Sequence, residues 1–501
     1  MKALYQVYTN SLKLAAVAFL SATSMATVAQ APTGDPDADP DLESVDIELE
    51  VPDRDTTYLM GYIKEDMTLA GDEIYVLDLN TKVAKEATLT INAGAVLLLE
   101  PEINLVIEGG LRMNGAANNV ISFSSYDPSN PGGGIVVRGS EGADIAITYT
   151  EFLMVNTPLE FDMDWYRQNI TFEHNIIKEC RQGESLVVIT TPSSLYQYTT
   201  DRKTNFSFQY NQFVNNWGGI YIENLQDNIM DLRFNYNVLT NNVSYGIDYG
   251  VPANAPFFGY YDDDNRRFVT QLAYNSSFGN YQIDAATDTI VREINFGIAG
   301  DGETYNLSNN YFRSQDKDYI SNTFDDFHHN VQLPLYDVDP VLNKPSAEAP
   351  AHIYKVRMNE EEIENYATIP EVGISNVAFE VYFNRPVEEI TDLHMEAIFY
   401  DTINGDLVTN DVDLMNGSFT SDRTVYTFTV ENATFLRNAL GYVAIGGFRD
   451  DEGFPVPVFT IGQPNAINNY SELVNRGLEN RILSASDMIT GTGPGGIGMG
   501  V

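Results

Sequence analysis

Apolar and polar residues alternate along "FSFQYNQFVNNWGGIYIEN" (206–224) and then halt on asparagines. "LRFNYNVLTNN" (232–242) repeats the pattern 26 residues later. The same frame, an apolar residue followed by x-x-Asn and x-apolar, recurs in "FEHNII" with Asn175, "FQYNQF" with Asn211, "FNYNVL" with Asn237, "LAYNSS" with Asn275 and "LSNNYF" with Asn310. "ITYTEF" offers Thr150 in the same slot, and the steps from it run 25, 36, 26, 38 and 35 residues. A coil of roughly 25 residues holds three short strands and three turns, stacked about 4.8 Å from the next coil. The short steps fit a bare coil and the long ones a coil with an insertion. Alternation sends Phe206, Phe208 and Tyr210 to the core side and Ser207 and Gln209 to the other. After the turn Phe213, Ile220 and Ile222 re-enter the core. Asn suits the corner because it tolerates left-handed backbone, and stacked Asn side chains can bond along the axis. Asn175, Asn211, Asn237, Asn275 and Asn310 are therefore expected to form a ladder.

"YVLDLNTKVAKEATLTINAGAVLLL" (75–99), "LVIEGGLRMNGAANNVISFSS" (105–125) and "PGGGIVVRG" (131–139) follow one another with Gly94, Gly109, Gly110 and Gly115 at turn positions. This succession resembles the opening coils of bacterial secreted right-handed parallel β-helix proteins of the pectate-lyase-like superfold. It departs from them at Gly133, where that family usually has Trp; Trp217 stands in a later "WGGI". The stretch from Ser308 to Pro345 resembles the family's exit segment. The resemblance implies the fold but no single activity, since the family spans enzymes, adhesins and proteins of unknown activity.

Beyond "KPSAEAPAH", which reads as a linker over 343–352, the pattern changes. "VAFEVYFNRPV", "MEAIFYD", "TVYTFTV" and "YVAIGGF" are strands at sandwich spacing between 353 and 460. "FEVYFNRPVEEI" and "GGFRDDEGFPVP" resemble segments of bacterial immunoglobulin-like domains, which usually space or attach neighbours on a cell surface. "SELVNRGLENRIL" puts Leu473, Val474, Leu478, Ile482 and Leu483 on one helical face within 461–488, ahead of a Gly-rich tail to 501. The expected fold class is all-β: a right-handed parallel β-helix over 58–342, then an immunoglobulin-like β-sandwich and a short C-terminal helix.

Lys2 and Lys13 precede the apolar run "LAAVAFL" and a small-residue zone, which together read as a signal peptide over 1–29. No segment reaches transmembrane length. The expected location is outside the cytoplasm: secreted, periplasmic or on the surface of a Gram-negative cell. With 71 acidic against 28 basic residues the net charge is −43, which repels nucleic acid and anionic lipid. Residues 30–57 form an acidic linker whose Asp35, Asp37 and Asp39 carry calcium-like spacing without the Gly turn or distal Glu of an EF-hand. No cofactor is expected, and Ca²⁺ is the one ion to consider. "VDIELEV" (45–51) alternates as a half-buried strand. Cys180, the single cysteine, reads as an inert core thiol.

Two long steps place insertions at 190–204 and 250–267, on one corner of the stack and two coils apart. They bring Tyr196, Tyr198, Arg202 and Lys203 towards Tyr260, Tyr261, Asp262, Asp263, Asp264, Arg266 and Arg267, with Tyr221, Glu223 and Asn224 as the floor. Tyrosine faces stack on sugar rings, and arginines fork onto uronate or sulfate. The expected partner is an extracellular polysaccharide or cell-surface glycan. The alternatives are a polysaccharide lyase or glycoside hydrolase in the same cleft, and a structural spacer without a glycan site. Hydrolysis needs two carboxyl groups at a set separation, and a lyase needs a base with uronate neutralisation. Asp262, Asp263 and Arg181 are the candidates: Arg181 and Lys178, with Asp262 or Glu223, are available for a lyase, but nothing in their spacing selects them. His174 reads as structural, and the adjacent His328 and His329 would need further ligands to hold a metal.

Overall fold

The computed structural model describes residues 56–462, except 60, 72, 128–129, 139–142, 163–168, 181–184, 191–203, 217, 225–229, 246–257, 263–270, 285–288, 294, 300–303, 326–334, 364–375, 402–405, 414–416 and 432–440. The expected signal peptide, Asp35, Asp37 and Asp39, the 45–51 strand, Trp217, His328 and His329, the C-terminal helix and the Gly-rich tail lie outside the described residues.

Short strands recur in a fixed cycle of three and pair in parallel with their counterparts one cycle away, which makes a parallel β-helix. Among the described residues the first sheet has nine strands, from Thr56–Leu59 to Ser276–Phe278. The second has ten, from Tyr62–Ile63 to Phe324–Asp325, and the third seven, from Met67–Leu69 to Met230–Asn235. Register lines up the core. Leu69, Ile91, Met113, Ile147, Phe172, Phe208 and Phe234 form one column on the third sheet, and all are buried. Each such side chain contributes about 1.5–3 kcal/mol by leaving water. First-sheet strands such as "IYVL" (74–77) and "VLLL" (96–99) are apolar throughout because both of their faces are covered.

The corner between the third and first sheets carries the asparagines. Asn175, Asn211, Asn237, Asn275 and Asn310 are fully buried. Each Nδ2 in the first four donates to the Oδ1 of the next at 3.1 Å. The same Oδ1 accepts a backbone N–H at 2.8–2.9 Å, and Thr150 heads the series by donating its N–H to Asn175. A second donation runs back to the carbonyls of Ile147, Phe172, Phe208, Phe234 and Leu272.

The left-handed position is not the asparagine. It is the residue before it: Tyr149, His174, Tyr210, Tyr236, Tyr274 and Asn309, with φ between 46° and 62°. This corrects the sequence reading of Tyr210. Positive φ turns its side chain off the strand's alternation and out of the core where Phe206 and Phe208 lie. Five rings instead stack on the outside: Tyr149 on His174, His174 on Tyr210, Tyr210 on Tyr236 and Tyr236 on Tyr274, at 4.8–5.0 Å and within 13° of parallel. Left-handed backbone costs a non-glycine residue about 1–2 kcal/mol. Ring stacking and the ladder offset that cost.

A second asparagine ladder, which the sequence analysis missed, lies on the far side of the first sheet. Asn216 Nδ2 donates to Asn242, Asn242 to Asn280 and Asn280 to Asn295, at 2.8–3.0 Å. The backbone N–H of Cys180 donates to Asn216 Oδ1, so the buried thiol sits at the head of this ladder. Met154, Glu179, Asn215, Asn241 and Gly279 hold the left-handed position here. The signal was available as Asn-x₄-Asn in 211–216, 237–242 and 275–280.

Ile353–Gly462 forms two antiparallel sheets, of five and four strands among the described residues. They share a core that includes Val356, Phe379, Val381, Tyr426, Phe428, Ile445 and Phe448. The expected linker is packed rather than free: Pro345, Ala349, Pro350, Ala351 and His352 are buried. Asn384 explains this. Its Nδ2 donates to the carbonyls of Ser346 and Ala349, and its Oδ1 accepts the His352 N–H at 2.9 Å. The antiparallel module therefore lies along the flank of the coil. Phe278 faces His352 at 6.3 Å, Tyr311 meets Tyr354 edge-on at 5.9 Å, and Phe454 meets Tyr149 edge-on at 5.6 Å.

Replacing Asn237 with Ala strands the backbone and side-chain N–H groups that Asn211 donates to it, and removes the donor to the Phe208 carbonyl. Buried orphans cost about 1–3 kcal/mol each, so Asn237→Ala should lose at least about 3 kcal/mol in urea unfolding. Asn205→Ala, which removes only an exposed pair with Asn169, should stay within about 0.5 kcal/mol. At the left-handed position, Tyr210→Asn should keep at least about 1 kcal/mol more stability than Tyr210→Val, because a β-branched residue fits positive φ worst.

Candidate functional site

Of the residues singled out for sugar binding, the second sheet carries Tyr221, Glu223, Asn224, Tyr260, Tyr261 and Asp262. Strand Gly219–Asn224 pairs with Phe258–Asp262 in register: Tyr221 with Gly259, Ile222 with Tyr260, Glu223 with Tyr261 and Asn224 with Asp262. Gly259 in turn pairs with Gly297 on the next strand. Ile220 is buried and Tyr221 half-buried, so the alternation puts Tyr221 on the outer face. Beyond it that outer position is glycine on two successive strands. The result is a trough about 10 Å wide, floored by backbone and headed by a tyrosine.

Tyr260, Tyr261 and Asp262 were expected on an insertion loop. The structure instead builds Phe258–Asp262 into the sheet, because five residues match the register of Gly219–Asn224. Tyr260 takes the register position that Ile189 and Phe161 fill two and three coils earlier, and both of those are buried. Tyr261 takes the position of Asp162, Thr190 and Glu223. Tyr196, Tyr198, Arg202, Lys203, Arg181, Asp263, Asp264, Arg266 and Arg267 lie outside the described residues. Their points of departure are described. The chain leaves the second sheet after Thr190, Asn224 and Asp262, on three adjacent strands. The segments that follow Thr190 and Asp262 thus start about 10 Å apart, on one edge of the trough.

Charge along this edge is mixed. Arg138 Nε lies 3.4 Å from Asp162 Oδ2, both exposed. Burial, with the Asp162 charge second, raises the Glu160 carboxyl above its ordinary range, while Arg138 opposes the shift. Glu160 stands two strands before Tyr221 in the same outer column. Lys178, offered beside Arg181 as a cation for a lyase, lies on the first sheet instead, its Nζ 2.7 Å from Glu151. Among the described residues no three His, Cys, Asp or Glu side chains gather as a metal site.

The stacked aromatics are not a second sugar platform. Their faces cover one another along the axis and leave only edges outward. His174 lies in the middle of that stack, and burial holds its pKa below the usual histidine value. Tyr236 donates towards Glu348; burial first, and then that contact, push its hydroxyl up to about 12.

Compared with known proteins, the chain matches no family model, no curated protein and no solved structure.

The docked flank titrates. His352 is buried, its Nδ1 faces the Pro350 carbonyl at 2.8 Å, and its Nε2 has no partner. Burial lowers its pKa from 6.5 to about 4. The unfolded chain therefore takes up the proton first. Stability should fall as pH drops from about 6.5 to 4, by about 3 kcal/mol in all at 1.36 kcal/mol per unit. Denaturant midpoints measured from pH 7 to 5 should drop less in His352→Phe than in the wild type, the remaining slope belonging to groups such as His174.

Proposed function

We propose that this is an exported, non-catalytic polysaccharide-binding or adhesion protein. The coil carries the glycan, and the antiparallel module, read as immunoglobulin-like, braces it. The reading includes the right-handed coil implied by the resemblance and a location in the secretions, periplasm or cell surface of a Gram-negative bacterium. The observation that carries it is the trough: half-buried Tyr221 beside the paired glycines 259 and 297 on the outer sheet face. A pyranose lays its apolar face on a tyrosine ring, and backbone without side chains leaves room for the next residue of the chain. The segments that follow Thr190 and Asp262 would wall the trough with Tyr196, Tyr198, Arg202, Arg266 and Arg267. The flank-on contact of the two modules speaks against the spacer reading, since a spacer would extend end to end.

A glycan array and affinity gels with alginate, pectate and sulfated galactans test this. Tyr221→Ala and Gly259→Leu should each weaken binding about tenfold, near 1.4 kcal/mol, in variants whose circular dichroism shows the fold retained. Tyr260→Ala is the wrong probe, because its register position belongs to a buried column. Equal binding by wild type and both variants would end the proposal. The same polysaccharides should yield no new reducing ends and no absorbance at 235 nm. Product growth that depends on Asp262 or Asp263 would favour the lyase or hydrolase reading.

A further inference from the structure

Between the coil and the antiparallel module lies a small cavity. Glu151, Ile176, Lys178, Glu179, Gln212, Val214 and Asn215 form its coil side, and Pro455–Val458 close it. The cavity measures about 20 Å³, room for one water or one ion. Three of its lining residues carry buried oxygens without any hydrogen-bond partner: Glu151 Oε2, Gln212 Oε1 and Asn215 Oδ1. These residues are 2%, 0% and 5% exposed. The orientation of Gln212 is fixed, because its Nε2 donates to the Pro455 carbonyl at 3.3 Å.

All three orphan atoms are acceptors. A buried acceptor left alone costs about 1–3 kcal/mol, so something must face them. The one cationic side chain in the lining is Lys178, whose Nζ is 2.7 Å from the other Glu151 oxygen. A water has two protons for three acceptors and turns its own lone pairs on the third. A metal cation satisfies all three at once.

We infer that this cavity binds one small hard cation, Na⁺ or Ca²⁺, through Glu151, Gln212 and Asn215, and that the ion staples the antiparallel module to the coil. The donors are oxygens, as such ions require, and two of the three are neutral amides, which suits an ion held mostly by the fold. The site is independent of the glycan trough, which lies on a different sheet. It also uses none of the acidic residues first considered for calcium, Asp35, Asp37 and Asp39.

The test uses the full chain, stripped with EDTA and held at constant ionic strength with choline chloride. NaCl or CaCl₂ is titrated in while thermal unfolding is followed. The wild type should show a saturable, single-site rise in midpoint, and the salt that produces it identifies the ion. Gln212→Met keeps the Lys178–Glu151 pair and removes one ligand, so it should weaken the apparent affinity at least tenfold. Glu151→Gln should weaken it further. Asp144→Asn/Asp162→Asn, exposed carboxylates far from the cavity, should leave it unchanged. Two results would overturn the inference. One is no saturable rise in the wild type, which leaves ordered water in the cavity. The other is a rise that Gln212→Met retains in full, which assigns the effect to counter-ion screening of the −43 surface.

Discussion

An asparagine amide sealed from water has two donors and two acceptor sites to satisfy. In this coil the interior ladder asparagines, such as Asn211, Asn237 and Asn275, satisfy all four. Asn211 donates to the Phe172 carbonyl and to Asn237, and accepts from the backbone and side chain of Asn175. Its bonds therefore span three coils. A coil slipped by one residue would leave four buried groups stranded. That penalty fixes register more sharply than the core can, since one phenylalanine column tolerates another phenylalanine, and it holds on both sides of the first sheet.

The rest follows from register. Aligned corners put five aromatics in left-handed backbone and stack them. Aligned sheets give the first sheet two covered faces, so its outer side takes the antiparallel module. They give the second sheet an outer column in which Tyr221 is followed by two glycines, and a common edge from which long segments depart. The chain's acidity does not determine this architecture; it governs which partners approach.

Much of this was legible in the chain. Asn175 to Asn310 recur with apolar flanks in constant phase, and phase survives insertions because insertions leave at corners. Thr150 was readable for the same reason. Tyr210 was misread because alternation holds only while the backbone stays extended, and its φ of 58° breaks the strand at that residue. Phe258–Asp262 was misread as loop because a strand bounded by two long segments carries no periodicity of its own; only pairing with Gly219–Asn224 reveals it. The packing of 345–352 was hidden for a similar reason. Pro and Ala look like a linker until Asn384, 32 residues after His352, supplies the hydrogen bonds. The cavity under Pro455–Val458 joins residues some 240 apart and has no local signature at all.

Native-state hydrogen exchange on the backbone amides of Asn175, Asn211, Asn237 and Asn275 tests the ladder most directly, because each donates to the Oδ1 of the next asparagine. These four amides should exchange only through global unfolding, with the same free energy as Phe172 and Phe208. Exchange within minutes, while the phenylalanine strands stay protected, would show that the coils keep their register without the asparagines.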